Sequence, residues 1–383
     1  MTFELTAAQI EHQRRCRDFV AQEVMPRAEA YDESGIFPAD LARGMGRAGY
    51  LGAVLPVAQG GLGVDMTAFG LQNEEFGRGC ASARSLITVH SMVLVSLLRW
   101  GSASQKERWL PLLATGERLA AFALSEPQSG SDANSLETSA VRQGDHYVLH
   151  GRKKWISFGQ LAGLFLLFAK LEGQSTAFLV ERDSPGLVVE PIAPLGGCRA
   201  SMLAELRLEH CQVPDSHLLG RPGAGWTYVA NAALDHGRYS VAWGCVGMAQ
   251  ACLAASLAYV SRRRQFGVYL KEHPLVQEML TDMVAGVEAA RLLCRQAGYL
   301  QESADPGAMV ATSLAKYYAA RTAVHVAGDA VQLHGANGFS RDYPIHRHWR
   351  DAKVMEVIEG SRQIQQMVIG RAYAADQSVD EPA

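Results

Sequence analysis

The spacing of apolar residues changes period twice along this chain and so divides it into three stretches. From residue 5 to about 118 the apolar positions recur at helical spacing. Thr6 stands where an N-cap is needed, ahead of a helix carrying Ile10, Phe19 and Val20. Phe37-Pro38-Ala39-Asp40 opens another, with Leu41, Met45 and Ala48 on one face. The glycine-rich Gln59-Gly60-Gly61-Leu62-Gly63 breaks the pattern. No Gly-Lys-Ser/Thr follows it and no strand precedes it, so it reads as a turn and not a phosphate loop. Residues 66–100 then resume long apolar helical periodicity.

From about 119 to 225 the runs are short, β-branched or aromatic, as in Tyr147-Val148-Leu149-His150, Leu164-Phe165-Leu166-Leu167-Phe168 and Thr176-Ala177-Phe178-Leu179-Val180. Turn residues separate them, and the spacing predicts a small antiparallel barrel or sandwich. From about 226 onward helical periodicity returns, at roughly 226–262, 273–303, 307–335 and 362–376, each stretch apolar on one face as a four-helix bundle requires. The predicted architecture is mainly α with a middle β domain: a helical domain over 1–118, a β domain over 119–225 and a helical bundle over 226–383. The polar tail from Gln377 to Ala383 is expected to fray.

Composition narrows the classes. The 383 residues are 48% hydrophobic, enough for a substantial core in two or three domains. A net charge of −3 with scattered Lys and Arg gives no nucleic-acid or polybasic membrane surface. Seven cysteines without a Cys-x-x-Cys pair fit reduced, mostly buried thiols and neither a disulfide frame nor a metal site. Met1-Thr2-Phe3-Glu4-Leu5-Thr6 lacks a secretion signature, and no apolar run is read as approaching the ~20 residues needed to span a bilayer, so a soluble cytoplasmic protein is expected.

The densest chemistry lies near the C-terminus: Arg350-Asp351-Ala352-Lys353, then Met355-Glu356-Val357-Ile358-Glu359-Gly360-Ser361. Glu359 precedes the one residue that turns without a Cβ, and apolar residues flank it. A carboxylate presented by such a turn into a dry cavity becomes a stronger base, as removal of a weakly acidic C–H proton demands. By itself such a pair reads more readily as a solvated Glu at a helix boundary.

Four further segments, in order, resemble the acyl-CoA dehydrogenase flavoprotein superfamily across nearly the whole chain. They are Ala121-Phe122-Ala123-Leu124-Ser125-Glu126 continuing to Gly130-Ser131-Asp132, Gly151-Arg152-Lys153-Lys154-Trp155-Ile156-Ser157, Arg263-Arg264-Gln265-Phe266-Gly267, and Gln332-Leu333-His334-Gly335-Ala336-Asn337-Gly338-Phe339. The resemblance implies FAD, held without a Rossmann domain since no Gly-x-Gly-x-x-Gly follows a strand. It places Phe122, Leu124 and Ser125 at the flavin edge, with Gly130 and Ser131 allowing close backbone approach, and Ser131 also beside substrate. Trp155 and Ser157 match the ring wall and its hydroxyl. Arg263, Gln265 and Phe266 match residues that reach FAD across a subunit interface, which implies a homo-oligomer. Gln332, His334, Gly335 and Ala336 fall at the adenine and diphosphate end, and Ser361 and Gln363 beside the cofactor after the catalytic turn. Without the family order, Trp155 reads as core and Arg263 as a solvated helix charge.

Glu359 matches the family's catalytic base, with Gly360 beside the substrate. Some members carry that Glu one place before an Arg on a bundle helix; here the place is Gly237, before Arg238, so Glu359 has no competitor. Asp235 and Arg238 match substrate-side positions, although Arg238 reads equally as a buried ion-pair partner. Trp243 either shortens the acyl cavity or packs in the bundle core. Three positions depart from the common pattern: Ile358 replaces an aromatic residue, Ser361 a Thr, and Pro274 follows His273. Gly197-Cys198-Arg199-Ala200 and Ser240-Val241-Ala242-Trp243-Gly244 are similar to the branch acting on acyl carrier proteins to make unusual polyketide extender units. The implied partners are a short polar acyl thioester on a carrier protein or CoA and an electron acceptor. The alternatives are a catabolic short-chain acyl-CoA dehydrogenase and a non-catalytic scaffold of the same fold.

Overall fold

The computed structural model describes residues 4–376. The expectations for Met1–Phe3 and for the tail from Gln377 lie outside them. Helix α1 (Ala7–Phe19) begins where Thr6 and Gln9 close a capping box, each side chain accepting from the other's backbone N–H. It continues through a wider turn and a tighter one into α2 (Ala28–Ser34), which Gly35 ends in the left-handed region. Helix α3 (Ala39–Arg47) follows Pro38. The Gln59–Gly63 segment is a turn packed on itself: a Cβ at Gly61 would meet the Leu55 carbonyl oxygen at 2.1 Å. Helices α4 (Met66–Gly79), α5 (Ala81–Trp100) and α6 (Ala103–Ala114) complete this part.

The middle of the chain folds into one sheet of eight strands: β1 (Ala120–Ala123), β2 (Ser139–Gln143), β3 (His146–Ile156), β4 (Leu164–Leu171), β5 (Gln174–Glu181), β6 (Leu187–Pro191), β7 (Ala204–Pro214) and β8 (Leu218–Leu219). The order β6-β7-β3-β2-β4-β5-β8 is largely antiparallel, but β1 and β2 both pair in parallel with β4. The sheet is therefore mixed where the sequence suggested an antiparallel one. The parallel pairs arise because the chain enters β1 straight from α6 and crosses over to β2 without a hairpin.

Helix α7 (Asn231–Val260) then leads through a two-strand hairpin, β9 (Arg264–Gln265) and β10 (Val268–Tyr269), into α8 (Pro274–Glu302) and α9 (Ala308–His334). The chain closes with α10 (Ile345–Met355) and α11 (Arg362–Asp376). Helix α10 carries Arg350 to Lys353, which sequence patterning did not resolve as a helix.

One core joins the two helical parts: Phe69 and Phe76 of α4 lie in the same cluster as Tyr239 and Trp243 of α7, Met283 of α8 and Val326 of α9. Close approach of α4 to α7 depends on glycine, since a Cβ at Gly77 would lie 2.3 Å from the Gly244 carbonyl oxygen. Two stretches, Ala81–Trp100 and Gly225–Val260, are long and apolar enough to cross a membrane by length and composition, contrary to the reading that none is. Both are mostly buried inside the protein, which accounts for helices apolar on all sides. All seven cysteines are free and buried.

Candidate active site

A cavity of about 1500 Å³ opens where β1, the end of β3, α5, the start of α7 and the turn after α10 meet. Single-ligand pockets commonly hold ~300–1000 Å³, so this one has room for a flat ring system and a second ligand against it.

Glu359 lies on its wall. Both Glu359 (φ 54°) and Gly360 (φ 87°) are left-handed. For Gly360 that is ordinary; for a glutamate it costs about 1–3 kcal/mol and persists only where neighbours impose it. Three side chains do so by converging on two carbonyls. Arg238 Nε donates to the Glu359 oxygen (3.3 Å), Gln365 Nε2 donates to the oxygens of Glu359 and Gly360 (3.1 Å each), and Lys316 Nζ donates to the Gly360 oxygen (2.8 Å). The carboxylate itself is left alone: Oε2 is buried and accepts no hydrogen bond. Space for it comes from α7, because a Cβ on Gly237 would stand 2.6 Å from Oε2. Burial pushes the Glu359 carboxyl up to about 7, against the opposing pull of the Arg238, Lys316 and Arg84 charges. Such a group accepts a proton near neutral pH without a competing partner.

Lys316 was not marked by any sequence signal, yet it contributes both a tether and a charge. Replacing it with Met is expected to let Glu359 rise further, moving the acid limb of the rate profile to higher pH and costing about tenfold at neutral pH. The pH dependence of flavin reduction in the Lys316→Met variant checks this; an unmoved limb counts against the electrostatic coupling.

The opposite wall is built from β1, β3 and the loop between β1 and β2. Phe122, Leu124, Ser125, Gly130, Ser131, Trp155 and Ser157 all line the cavity, as do Gly360 and Ser361. Trp155 is left-handed (φ 63°) and remains 48% exposed, so a strained backbone presents its indole and does not bury it. A Cβ on Gly130 would meet nothing within 4 Å, which leaves its backbone approachable. Beneath this wall Lys153 is fully buried, donating to Glu126 Oε1 (2.6 Å) and the Leu124 carbonyl oxygen (3.2 Å). Glu126 also accepts from the backbone of Glu137 and Thr138, so one carboxylate fastens both ends of the loop bearing Ser125 to Ser131. An aromatic face, a hydroxyl-lined edge and open backbone suit an isoalloxazine ring.

The Arg350-Asp351 pair fixes a third wall. Asp351 accepts the Cys198 N–H (2.6 Å) and Arg350 donates to the Gly196 carbonyl oxygen (2.8 Å), holding the loop around Cys198 against α10.

Several residues singled out in the sequence stand elsewhere. Trp243 is fully buried beside Gly70 and Tyr239 and does not line the cavity; it is a core residue and does not shorten an acyl pocket. Asp235 is also outside the lining: Gln301 Nε2 donates to it at 3.4 Å, and burial raises its carboxyl to about 6. Arg238 does line the cavity, and among the described residues it forms no ion pair within 4 Å, so it is not a structural salt-bridge partner. Gln363 is exposed on α11, away from the lining. Arg263, Gln265 and Phe266 form an exposed hairpin, with Phe266 95% exposed and left-handed (φ 53°). Gln332, Gly335 and Ala336 are exposed at the end of α9, while His334 is buried and stacks on Tyr259 at 4.3 Å. These seven residues lie outside the cavity of their own chain.

Comparison with known proteins matches this arrangement. Residues 6–117, 121–211 and 223–374 match the N-terminal, middle and C-terminal domains of acyl-CoA dehydrogenase. The chain belongs to the acyl-CoA dehydrogenase family. It is an FAD-dependent oxidoreductase of that fold. Butyryl-CoA dehydrogenase from Megasphaera elsdenii is 32% identical with a TM-score of 0.95, covering 98% of this chain and 100% of that one. The prolyl acyl carrier protein oxidase AnaB is 30% identical with a TM-score of 0.92, covering 97% and 100%. FkbI, described as serving biosynthesis of a methoxymalonyl extender unit, is 34% identical with a TM-score of 0.87, covering 95% and 99%. In this dehydrogenase the cavity walls around Trp155 and Ser125 are the residues that would hold the flavin.

Proposed function

We propose that this dehydrogenase oxidises a short, polar acyl group carried as a thioester on an acyl carrier protein, in the making of an unusual polyketide extender unit. The observation that carries the reading is Glu359: a carboxylate on the cavity wall, unpartnered at Oε2, with its proton affinity near neutrality, sharing that cavity with an exposed indole. A thioester carbonyl acidifies the adjacent C–H, and the Glu359 carboxylate takes that proton while the carbon's electron pair begins the new double bond. A bound flavin supplies the hydride-accepting ring. Arg238, Lys316 and Gln365 keep the base in place by holding the backbone that bears it. Apolar lining from Leu124, Ile358 and Ile364 keeps water away from the developing charge.

The polar acyl group is supported by Arg84, Ser85 and Thr88, which line the cavity from α5 beside Val89. The carrier protein is supported by the likeness to AnaB and FkbI. A second copy of the chain would cover Phe266, an aromatic side chain otherwise held in water on a strained backbone. Turnover of one short acyl group on a carrier protein and on CoA tests the reading. Preference for the carrier protein by tenfold or more is expected; equal or better use of CoA points to the catabolic short-chain enzyme instead.

A further inference from the structure

Arg84 is the most deeply buried charged residue in the cavity wall, and among the described residues it has no ion-pair partner. The side chain is 1% exposed, lies on α5 and lines the cavity. Its Nη1 donates to Thr88 Oγ1 (2.7 Å) and its Nη2 to the Met355 sulfur (3.3 Å); both are neutral acceptors, and one is weak. No carboxylate among the described residues lies within ion-pair distance of it. Glu359 and Asp351 act on it only at longer range.

The fold makes room for this guanidinium deliberately. A Cβ on Gly244 of α7 would stand 2.5 Å from Arg84 Cδ, so a glycine faces the arginine across the helix contact. Thr88 is itself fixed from behind, since its hydroxyl meets Ser240 Oγ (2.6 Å), which donates to Asn73 Oδ1 (2.6 Å). The guanidinium is thus oriented by a buried polar chain and given only two of the acceptors its five N–H donors could use. A planar fork in that condition matches a carboxylate, which would supply both the charge and two parallel acceptors.

We propose that Arg84 is a specificity residue that binds a carboxylate at the distal end of the acyl group, so that the substrate class is a dicarboxylic acyl thioester. The inference rests on the dehydrogenase reading above and narrows it. In this arrangement the thioester end lies toward Glu359 and the free carboxylate toward Arg84, and the oxidised carbons lie between two opposite charges.

The test uses the flavin-loaded protein and the phosphopantetheine thioesters of succinate and glutarate, each beside its terminal carboxamide, which has the same shape and no charge. Equilibrium binding and flavin reduction are both measured. At least one carboxylate is expected to bind about 100-fold more tightly than its carboxamide, and Arg84→Met is expected to reduce that ratio to near one. Carboxamides that bind as well as both carboxylates, or a preference that survives in Arg84→Met, overturn the proposal. Should the variant fail to fold, the two pairs of ligands on the wild-type protein decide alone. Flavin reduction by the carboxamides only would sink this inference and leave the dehydrogenase reading intact. Tight binding of a carboxylate with no flavin reduction by any thioester would do the reverse.

Discussion

Replacing Glu359 by Gln is expected to slow flavin reduction by about 10⁴-fold, the upper range for loss of a positioned general base, while FAD stays bound. The amide keeps the shape of the side chain and the turn beneath it, whose tethers all end on backbone oxygens. It cannot accept the proton. The same change is expected to stabilise the flavin-free protein above neutral pH. The folded Glu359 pKa, about 7, lies above its ordinary value of 4.5, so the folded state holds its proton more tightly than the unfolded one. The resulting penalty is absent at pH below 4.5, grows as pH rises through the window between the two values, and is complete above about 7. It amounts to roughly 3 kcal/mol at most. Thermal midpoints of the two proteins should therefore coincide in acid and diverge toward pH 8, with Gln the more stable. A Gln variant that bleaches flavin at the wild-type rate would remove Glu359 from the chemistry.

The second large effect is expected at a residue with no functional group. A Cβ on Gly237 would stand 2.6 Å from Glu359 Oε2 and 2.9 Å from the Met92 sulfur, closer than either atom tolerates. Gly237→Ala should displace the carboxylate by a fraction of an ångström to an ångström and cost about 100-fold in the rate of flavin reduction. FAD content should be unchanged, because Gly237 is not among the residues that line the cavity with Trp155. A wild-type rate in Gly237→Ala would mean that the base is not confined by α7 as described.

Much of this architecture was legible because it depends on local periodicity. The helical spans at the C-terminus were readable to within a few residues, since α8 starts at Pro274 and α9 ends at the glycine after His334. Helix α10 escaped because its buried face mixes Arg347, His348 and Asp351 with Ile345, Ala352 and Met355, so no apolar stripe marks it and its burial is imposed by tertiary contact. The parallel pairing of β1 and β2 with β4 also left no trace in strand composition.

The same division holds at the site. Glu359, Trp155 and the Ser125 segment stand out in the sequence as an ordered set of motifs, and the cavity brings them together. Arg84 and Lys316 did not stand out, because each is an ordinary helix residue in the sequence and gains its role only from what lies across a helix contact. Trp243 shows the opposite error. Nearness in sequence to Arg238 suggested the cavity, but five positions along a helix turn a side chain to another face, and Gly70 receives it there.

The central claim, that a carboxylate with its proton affinity near neutrality takes the α-hydrogen as the flavin is reduced, is tested most directly by single-turnover flavin reduction with protiated and α-deuterated thioester from about pH 5 to about pH 9. Reduction should climb about tenfold per pH unit, level off near the Glu359 value of about 7, and run several-fold slower with deuterium throughout. A rate indifferent both to pH across that range and to deuterium at the α-carbon would contradict it.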